Sequence, residues 1–342
     1  MLILTIESTC DETAAAVVTG ELEVLASVIA TQEKLHEKFH GVVPEIASRA
    51  HVERILPVIH ETILKAGITL QDLDAIAVAT TPGLSGSLVV GLMAAKSLCL
   101  ALDKPLISVN HLHAHIYACR ISSGKNVFPC VGLVVSGGHT HLYLCHDPIH
   151  FELLGGTIDD AAGEAFDKVA NMLGLPFPGG PALSKLASRG DPKRFKFPRS
   201  FINEEAIKFS FSGLKTAVRY ELAGRGKVDF QSLQVDPQLK ADIAASFQQA
   251  VVDCLVAKTF QAVDRSKLST LCVGGGVAAN RLLRDTLTAA AEERGLELHI
   301  APIQLCTDNA VMGAIAVEQY KAGQFSDLDI DCSAGLVRMA TE

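Results

Sequence analysis

Apolar and polar positions alternate in short blocks along this chain. Residues 2–18, LILTIESTCDETAAAVV, place two apolar runs on either side of a short polar turn, the pattern of two strands joined tightly. Residues 130–145, CVGLVVSGGHTHLYLC, repeat that pattern with Gly137-Gly138 in the turn. Later in each half an apolar run passes through glycines into a segment with apolar spacing near 3.6. These segments are AIAVATTPGLSGSLVVGLMAAKSL (75–98) and TLCVGGGVAANRLLRDTL (270–287). The order of hairpin, helices and strand-Gly-helix occurs twice and predicts a duplicated α/β unit. The polar, turn-prone Ser122-Ser-Gly-Lys-Asn126 divides the copies into lobes at 1–122 and 127–307. Residues from 151 to about 250 interrupt the strand pattern and read as a mainly helical insertion in the second lobe. A last helix, about 308–322, is a candidate to pack back on the first lobe.

Composition narrows the classes. Of 342 residues, 49% are hydrophobic and 20% charged, enough apolar surface for a large core and too much for global disorder. No apolar run approaches the roughly 18–20 residues that cross a bilayer, so no membrane partner is expected. The start, Met1 to Glu7, reads as a strand without the basic region or cleavage site of a signal peptide. Nine cysteines without a C-x-x-C pair point to a reducing compartment. A net charge of −8 argues against a nucleic-acid partner, but its distribution reverses that. Residues 185–227 hold eleven Lys/Arg and four Asp/Glu, a local +7 that leaves −15 on the remainder. At its centre Lys193-Arg-Phe-Lys-Phe-Pro-Arg199 interleaves aromatics with Lys193, Arg194, Lys196 and Arg199. This is either a solvated charge run or a phosphate-contacting surface for nucleic acid.

Candidate chemistry begins at Asn110-His-Leu-His-Ala-His115. His111 and His115 are four apart, so a helix puts both on one face where two imidazoles could hold a transition metal. A histidine-rich helix start with solvated rings has the same spacing. Leu112 stands where the general-base Glu of an H-E-x-x-H metalloprotease would be. A third ligand would come from elsewhere; Asp308 opens the last helix in Cys306-Thr-Asp-Asn309, where spacing alone favours capping over ligation. In the second hairpin turn, Ser136-Gly-Gly-His139 lets backbone approach a ligand. Gly274-Gly-Gly276, between strand and helix, offers N–H groups where phosphate binds, without matching a Rossmann or Walker A loop. Asp11 and Glu12, in the first hairpin turn, are either solvated acids or acids that bind a cation or take a proton.

Together these blocks resemble the TsaD family, the tRNA adenosine threonylcarbamoyltransferases, in its bacterial form. The resemblance runs from Ile6-Glu-Ser-Thr-Cys-Asp-Glu-Thr13 to Cys306-Thr-Asp-Asn309. Between them stand Gly41-Val-Val-Pro-Glu-Ile-Ala-Ser-Arg49, Pro82-Gly-Leu-Ser-Gly-Ser87, the His111/His115 pair, Val135-Ser-Gly-Gly-His-Thr140, Ile158-Asp-Asp-Ala-Ala-Gly-Glu-Ala-Phe-Asp-Lys168, Pro176-Phe-Pro-Gly-Gly-Pro181, Phe209-Ser-Phe-Ser-Gly-Leu-Lys215 and Gly274-Gly-Gly-Val-Ala-Ala-Asn280.

The resemblance implies an actin-like, sugar-kinase-like (ASKHA) duplicated ATPase fold with a central cleft. It implies transfer of a threonylcarbamoyl group from threonylcarbamoyl-AMP to N6 of adenosine 37, in tRNAs that read codons starting with A. One divalent metal, iron or zinc, would sit on His111, His115 and Asp308. Val134, Val135, Ser136, Gly137 and Gly138 would contact the adenylate, with Asp167, Gly180 and Asn280 on its nucleoside. Asp11, Glu12 and His139 are the candidates for proton removal or orientation. Val134 stands where archaeal and eukaryotic relatives add a Tyr ligand, leaving a fourth metal position to substrate or water. Ser184 replaces an acidic residue found at a nucleoside contact in some relatives. The family further implies a TsaB-like paralogue docked through first-lobe helices around His36 to Leu64, a TsaE-like ATPase, and the bacterial cytoplasm. A small-molecule kinase of the same fold is the alternative, though it has no use for the histidine pair. A metalloprotease lacks its Glu, and a non-catalytic scaffold would not retain the histidines.

Overall fold

A computed structural model describes residues 1–224, 230 and 235–335. These form two compact units: Met1–Asn126 with the chain from Thr307 onward, and Val127–Cys306.

In the first unit, β1 (Leu2–Glu7), β2 (Glu12–Thr19) and β3 (Val24–Thr31) form an antiparallel meander. The chain continues through a one-turn α1 (Glu33–His36) and the long α2 (Pro44–Ala66) to β4 (Ala75–Thr81), α3 (Ser85–Leu102), β5 (Leu106–Asn110) and α4 (His111–Ser123). β4 lies parallel to β1 and to β5, giving the order β3-β2-β1-β4-β5.

In the second unit the same logic recurs. β6 (Cys130–Val135), β7 (Thr140–Cys145) and β8 (Phe151–Thr157) are antiparallel neighbours. Then come α5 (Ala162–Met172), α6 (Gly179–Ala187), the two-residue β9 (Lys208–Phe209), α7 (Ser212–Ala223) and the 30-residue α8 (Pro237–Ser266). β10 (Thr270–Gly274), α9 (Arg281–Glu293), β11 (Glu297–Ile300) and a one-turn α10 (Ile303–Cys306) complete it. The sheet order β11-β10-β6-β7-β8-β9 contains the first unit's five strands in reverse listing, with β10 and β11 parallel to β6. The predicted duplication is therefore present strand for strand, with β9 added at one edge. From Thr307 the chain rejoins the first unit through a 3-10 segment, Val311–Ile315, and α11 (Ala316–Lys321).

Strand alternation sorts the first unit's interior. Leu4 and Ile6 of β1, Val17 of β2 and Ile76 and Val78 of β4 pack with Ile55, Ile59 and Ile63 of α2 and Leu92 and Ala95 of α3. Each fully buried aliphatic side chain contributes about 1.5–3 kcal/mol, so this face holds the unit together. Thr5 and Glu7 point the other way and are also buried. There burial is unfavourable unless every polar atom finds a partner.

Three expectations need correction. The segment from 151 does not begin with helix: Phe151–Thr157 is β8, paired with β7. Its glycines hide the strand pattern, and they are required because a Cβ at Gly155 would lie 1.8 Å from the Ile207 carbonyl oxygen. The stretch 308–322 is not one helix, since Asp308 and Asn309 precede the 3-10 segment and only Ala316–Lys321 is α-helical. Finally, α3 is 18 residues with mean hydropathy 1.7, long and apolar enough to cross a membrane, although serines and a lysine break its apolar run. Here it packs on α2 and β4, with Leu88, Leu92, Ala95 and Cys99 buried.

Gly155→Ala is expected to destabilise the second unit by about 1–3 kcal/mol, the usual cost of overpacking. Urea unfolding followed by circular dichroism would show a lower midpoint; an unchanged midpoint would contradict the close approach of β8 to Ile207.

Candidate metal centre

The centre is built from both ends of the first unit's chain. Thr5 Oγ1 donates to the Ala310 carbonyl at 2.6 Å, which ties β1 to the returning C-terminal segment. Two residues on, Glu7 closes β1 with its side chain 3% exposed. Its Oε1 accepts the Thr9 N–H at 2.6 Å, and its Oε2 lies 3.0 Å from His111 Nδ1. Thr9 Oγ1 is also 3.2 Å from that nitrogen. His111 is the first residue of α4 because Asn110 caps the helix, its Oδ1 accepting from Leu112 N–H at 2.9 Å and His113 N–H at 3.3 Å. One turn later His115, fully buried, falls on the same face, its ring edge-on to His111 at 4.7 Å. Asp308 Oδ1 sits 3.2 Å from His115 Nε2 and 3.5 Å from His111 Nε2. The three ligand atoms all lie within 4.8 Å of one another.

This arrangement suits a cation better than it suits itself. Both ring nitrogens of His115 are buried without a hydrogen-bond partner, and its short contact with Asp308 lacks the alignment of an N–H···O bond. A buried unsatisfied polar group costs about 1–3 kcal/mol, a cost that a metal bond to one nitrogen removes. Burial holds His115 below the usual histidine pKa, in the neutral form that ligates. Burial also works against charge on His111, but the Glu7 and Asp308 carboxylates outweigh it and raise its pKa to about 9. Such a pocket, rich in negative charge, favours a divalent ion. Two imidazoles and a carboxylate fit zinc or ferrous iron and leave coordination positions for oxygen ligands.

Asn309 Oδ1 accepts the Met312 N–H at 3.1 Å, bracing the start of the 3-10 segment, and the Asp308 carboxylate faces the histidines. Asp11 and Glu12 stand in the field of the same carboxylate. Burial and then Asp308 raise the Asp11 pKa. Burial raises Glu12 to about 7 against a hydrogen bond from Thr31, and Glu12 Oε2 is buried without a partner.

The other predicted residues lie in the second unit. Val134 and Val135 are fully buried strand residues, so the exposed part of that segment is Gly137 and Gly138. Ser136 N–H closes the turn onto the His139 carbonyl at 2.8 Å. The turn docks on α5, whose Gly163 and Glu164 N–H groups donate to the Ser136 and Gly137 carbonyls at 3.2 and 2.9 Å. His139 is tilted against His141, ring centres 5.9 Å apart. A Cβ added at Gly137, Gly138, Gly180 or Gly276 would meet nothing within 4 Å, and none of the four has positive φ. The fold itself does not demand glycine there, as expected where a ligand approaches backbone. Gly275 is different: its φ is +96° and a Cβ would lie 2.4 Å from the Val135 carbonyl oxygen.

Asp167 Oδ1 accepts the Gly179 N–H at 2.8 Å and so holds the start of α6. Asn280 caps α9 through Leu283 N–H at 3.1 Å, and its Nδ2 donates to Ser184 Oγ at 2.9 Å and Gln248 Oε1 at 2.8 Å. Lys193, Arg194 and Lys196 are exposed beside Phe195 stacked on Phe197. Arg199 leaves that set, since its Nε donates to Asp253 Oδ2 at 2.7 Å and its Nη1 to the Phe197 carbonyl.

Comparison with known proteins gives the family. A family model described as TsaD: tRNA N6-adenosine threonylcarbamoyltransferase matches residues 23–315. The chain belongs to this family. It is 59% identical to the tRNA N6-adenosine threonylcarbamoyltransferase of Rhodopirellula baltica, over 98% of this chain and 97% of the relative. It is 52% identical to that of Symbiobacterium thermophilum, over 98% and 96%. Among solved structures it is similar in fold to T.kodakarensis HypF, with TM-score 0.63 and 16% identity. That match covers 94% of this chain and 48% of the HypF chain. Component A of the Acidaminococcus fermentans (R)-2-hydroxyglutaryl-CoA dehydratase matches with TM-score 0.52 and 15% identity, over 94% of this chain and 98% of that one. The duplicated fold is thus of the actin-like, sugar-kinase-like class.

Two residues that the structure brings to these clusters escaped sequence reading. Glu7 reads as the polar end of a strand; an acid closing a mostly apolar strand was the available signal. Gln248, deep in α8, gave none.

Glu12 yields a pH prediction. Its pKa is about 7 when folded against an ordinary 4.5, so the folded state holds the extra proton between those values. Stability therefore falls as pH rises from 4.5 to 7 and levels off above. Glu12→Gln, neutral throughout, should gain urea stability relative to wild type between pH 5 and pH 8 in chelator-treated protein. Parallel pH profiles would contradict the buried carboxyl.

Proposed function

We infer that this chain transfers a threonylcarbamoyl group to N6 of adenosine in tRNA, making threonylcarbamoyladenosine. The observation that carries this reading is the convergence of His111, His115 and Asp308 in a TsaD-family chain. The acceptor is adenosine 37 of tRNAs reading codons that start with A, and the donor is threonylcarbamoyl-AMP. In the reaction the N6–carbon bond forms, the carbon–oxygen bond to AMP breaks, and one N6 proton must leave.

Glu12 is the residue best suited to take that proton, because its pKa of about 7 matches a base working near neutrality. Asp11, also raised, supports the same turn electrostatically. His111, His115 and Asp308 would hold iron or zinc. Bound there, the ion supplies a Lewis acid for the carbamoyl oxygen or the departing phosphate. In the second unit, Gly137, Gly138, Gly180 and Gly276 leave backbone open to the adenylate. Asp167 and Asn280 set the helix starts beside those glycines.

Lys193, Arg194 and Lys196 offer a salt-sensitive contact to tRNA phosphates, with Phe195 alongside. A TsaB-like paralogue docks on α2, where Val52, Leu56 and Leu64 are 64–67% exposed. A TsaE-like ATPase completes the system, and the work takes place in the bacterial cytoplasm.

The direct test supplies threonylcarbamoyl-AMP, tRNA, metal and the two partners, then looks for modified adenosine by mass spectrometry. Product is expected with wild type and a loss of at least 100-fold with His115→Ala; absence of product with wild type overturns the reading. For the tRNA surface, changing Lys193, Arg194 and Lys196 together to Ala should weaken binding and reduce the slope of log affinity on log salt by up to about one per lost phosphate contact. An unchanged slope would place the tRNA elsewhere.

A further inference from the structure

Glu7 has no place in the chemistry above, yet it is the most confined carboxylate of the first unit. Alternation along β1 turns it away from the aliphatic core of α2 and α3 and onto the face that also carries Thr5. Its side chain is 3% exposed, and no lysine or arginine forms an ion pair with it among the described residues. A carboxylate buried this way is tolerated only when its oxygens are satisfied. One oxygen takes the Thr9 N–H at 2.6 Å and the other faces His111 Nδ1 at 3.0 Å.

The second contact fixes how His111 is used. An imidazole that donates Nδ1–H to a carboxylate keeps its lone pair on Nε2. Nε2 is the nitrogen directed at Asp308 Oδ1, 3.5 Å away. His115 has no such support: its Nδ1 has no hydrogen-bond partner, and packing alone sets its ring. The two histidines of the centre are therefore unequal. One is oriented by a hydrogen-bonded carboxylate and the other by packing alone. Glu7 also brings a second negative charge beside Asp308, so the pocket matches the charge of a divalent ion.

We infer that Glu7 is a positioning residue of the metal centre: it locks His111 in the Nδ1–H tautomer, aims Nε2 at the ion position and balances the ion's charge without touching it. This inference rests on the metal reading above and assigns to this chain a fourth residue on which metal affinity depends.

The test uses the full chain, stripped of metal, and Zn²⁺ as the probe. Zinc dissociation constants are measured by competition with a chromophoric chelator for wild type, E7Q and E7A. In parallel, ¹⁵N-histidine NMR of the metal-free chain above pH 9, where His111 is neutral, reports its tautomer, and urea unfolding reports the metal-free stability. Outer-shell carboxylates of this kind are worth about 10–100-fold in metal affinity. E7Q is isosteric and should fold; it keeps one acceptor but loses the charge, and should bind zinc about tenfold more weakly. E7A should approach 100-fold, with His111 no longer held as Nδ1–H. If Glu7 merely satisfies the end of β1, both variants would lose metal-free stability while zinc affinity stayed within twofold of wild type. That result, or an unchanged His111 tautomer in E7Q and E7A, overturns the inference alone. Wild type that binds no zinc, or binds it equally after His111→Ala and His115→Ala, overturns the metal reading and this inference with it.

Discussion

A carboxylate and two imidazoles cannot share a dry interior with aliphatic side chains unless each finds a partner, and the first unit is arranged around that demand. Glu7 enters the interior because β1 alternates. Asn110 stops β5 and starts α4 at the residue that meets Glu7. Helix periodicity then carries His115 to the same face. The returning C-terminal segment is fastened by Thr5 at the Ala310 carbonyl, by Asn309 at the Met312 N–H and by Tyr117, whose hydroxyl donates to Glu318 at 2.8 Å. Those three fastenings bring Asp308 to the histidines. An isolated pair of this kind would be weak or unfavourable; the set becomes coherent with a cation among the donors.

The two units show what one strand order can be used for. Both place a tight turn between their first two antiparallel strands. In the first unit that turn holds Asp11 and Glu12, acids whose pKa values are raised by burial. In the second it holds Gly137 and Gly138, exposed and with room for a side chain that is not there. Buried acids and exposed glycines thus occupy equivalent positions of a duplicated frame. The units differ again after the outer parallel strand: β5 runs into the histidine helix, whereas β11 leads to the one-turn α10.

Much of this was legible in the residues. Short apolar runs gave the strands, the repeated strand-Gly-helix gave the duplication, and the four-residue histidine spacing put His111 and His115 on one helix face. What was not legible depended on partners distant in sequence. Asp308 and Asn309 are both good caps by type, and only the fold shows Asn309 bonded to the Met312 N–H and Asp308 turned to the histidines. Glu7 finds its role through a histidine 104 positions away. Arg199 reads as a phosphate ligand until Asp253, 54 residues on, takes its guanidinium. β8 was missed because Gly155 and Gly156 dilute its pattern while permitting the close packing that makes it a strand. α3 reads as a helix from its apolar spacing, and only its full length and hydropathy, interrupted by serines and a lysine, escaped.

The central claim is that the buried cluster is a two-histidine, one-carboxylate metal centre. X-ray absorption spectroscopy on the zinc-loaded chain tests it most directly. The account predicts nitrogen and oxygen scatterers at about 2.0–2.2 Å with the multiple scattering of two imidazoles, reduced to one by His115→Ala. A shell dominated by sulfur near 2.3 Å, or a zinc spectrum indifferent to His111 and His115, would contradict it.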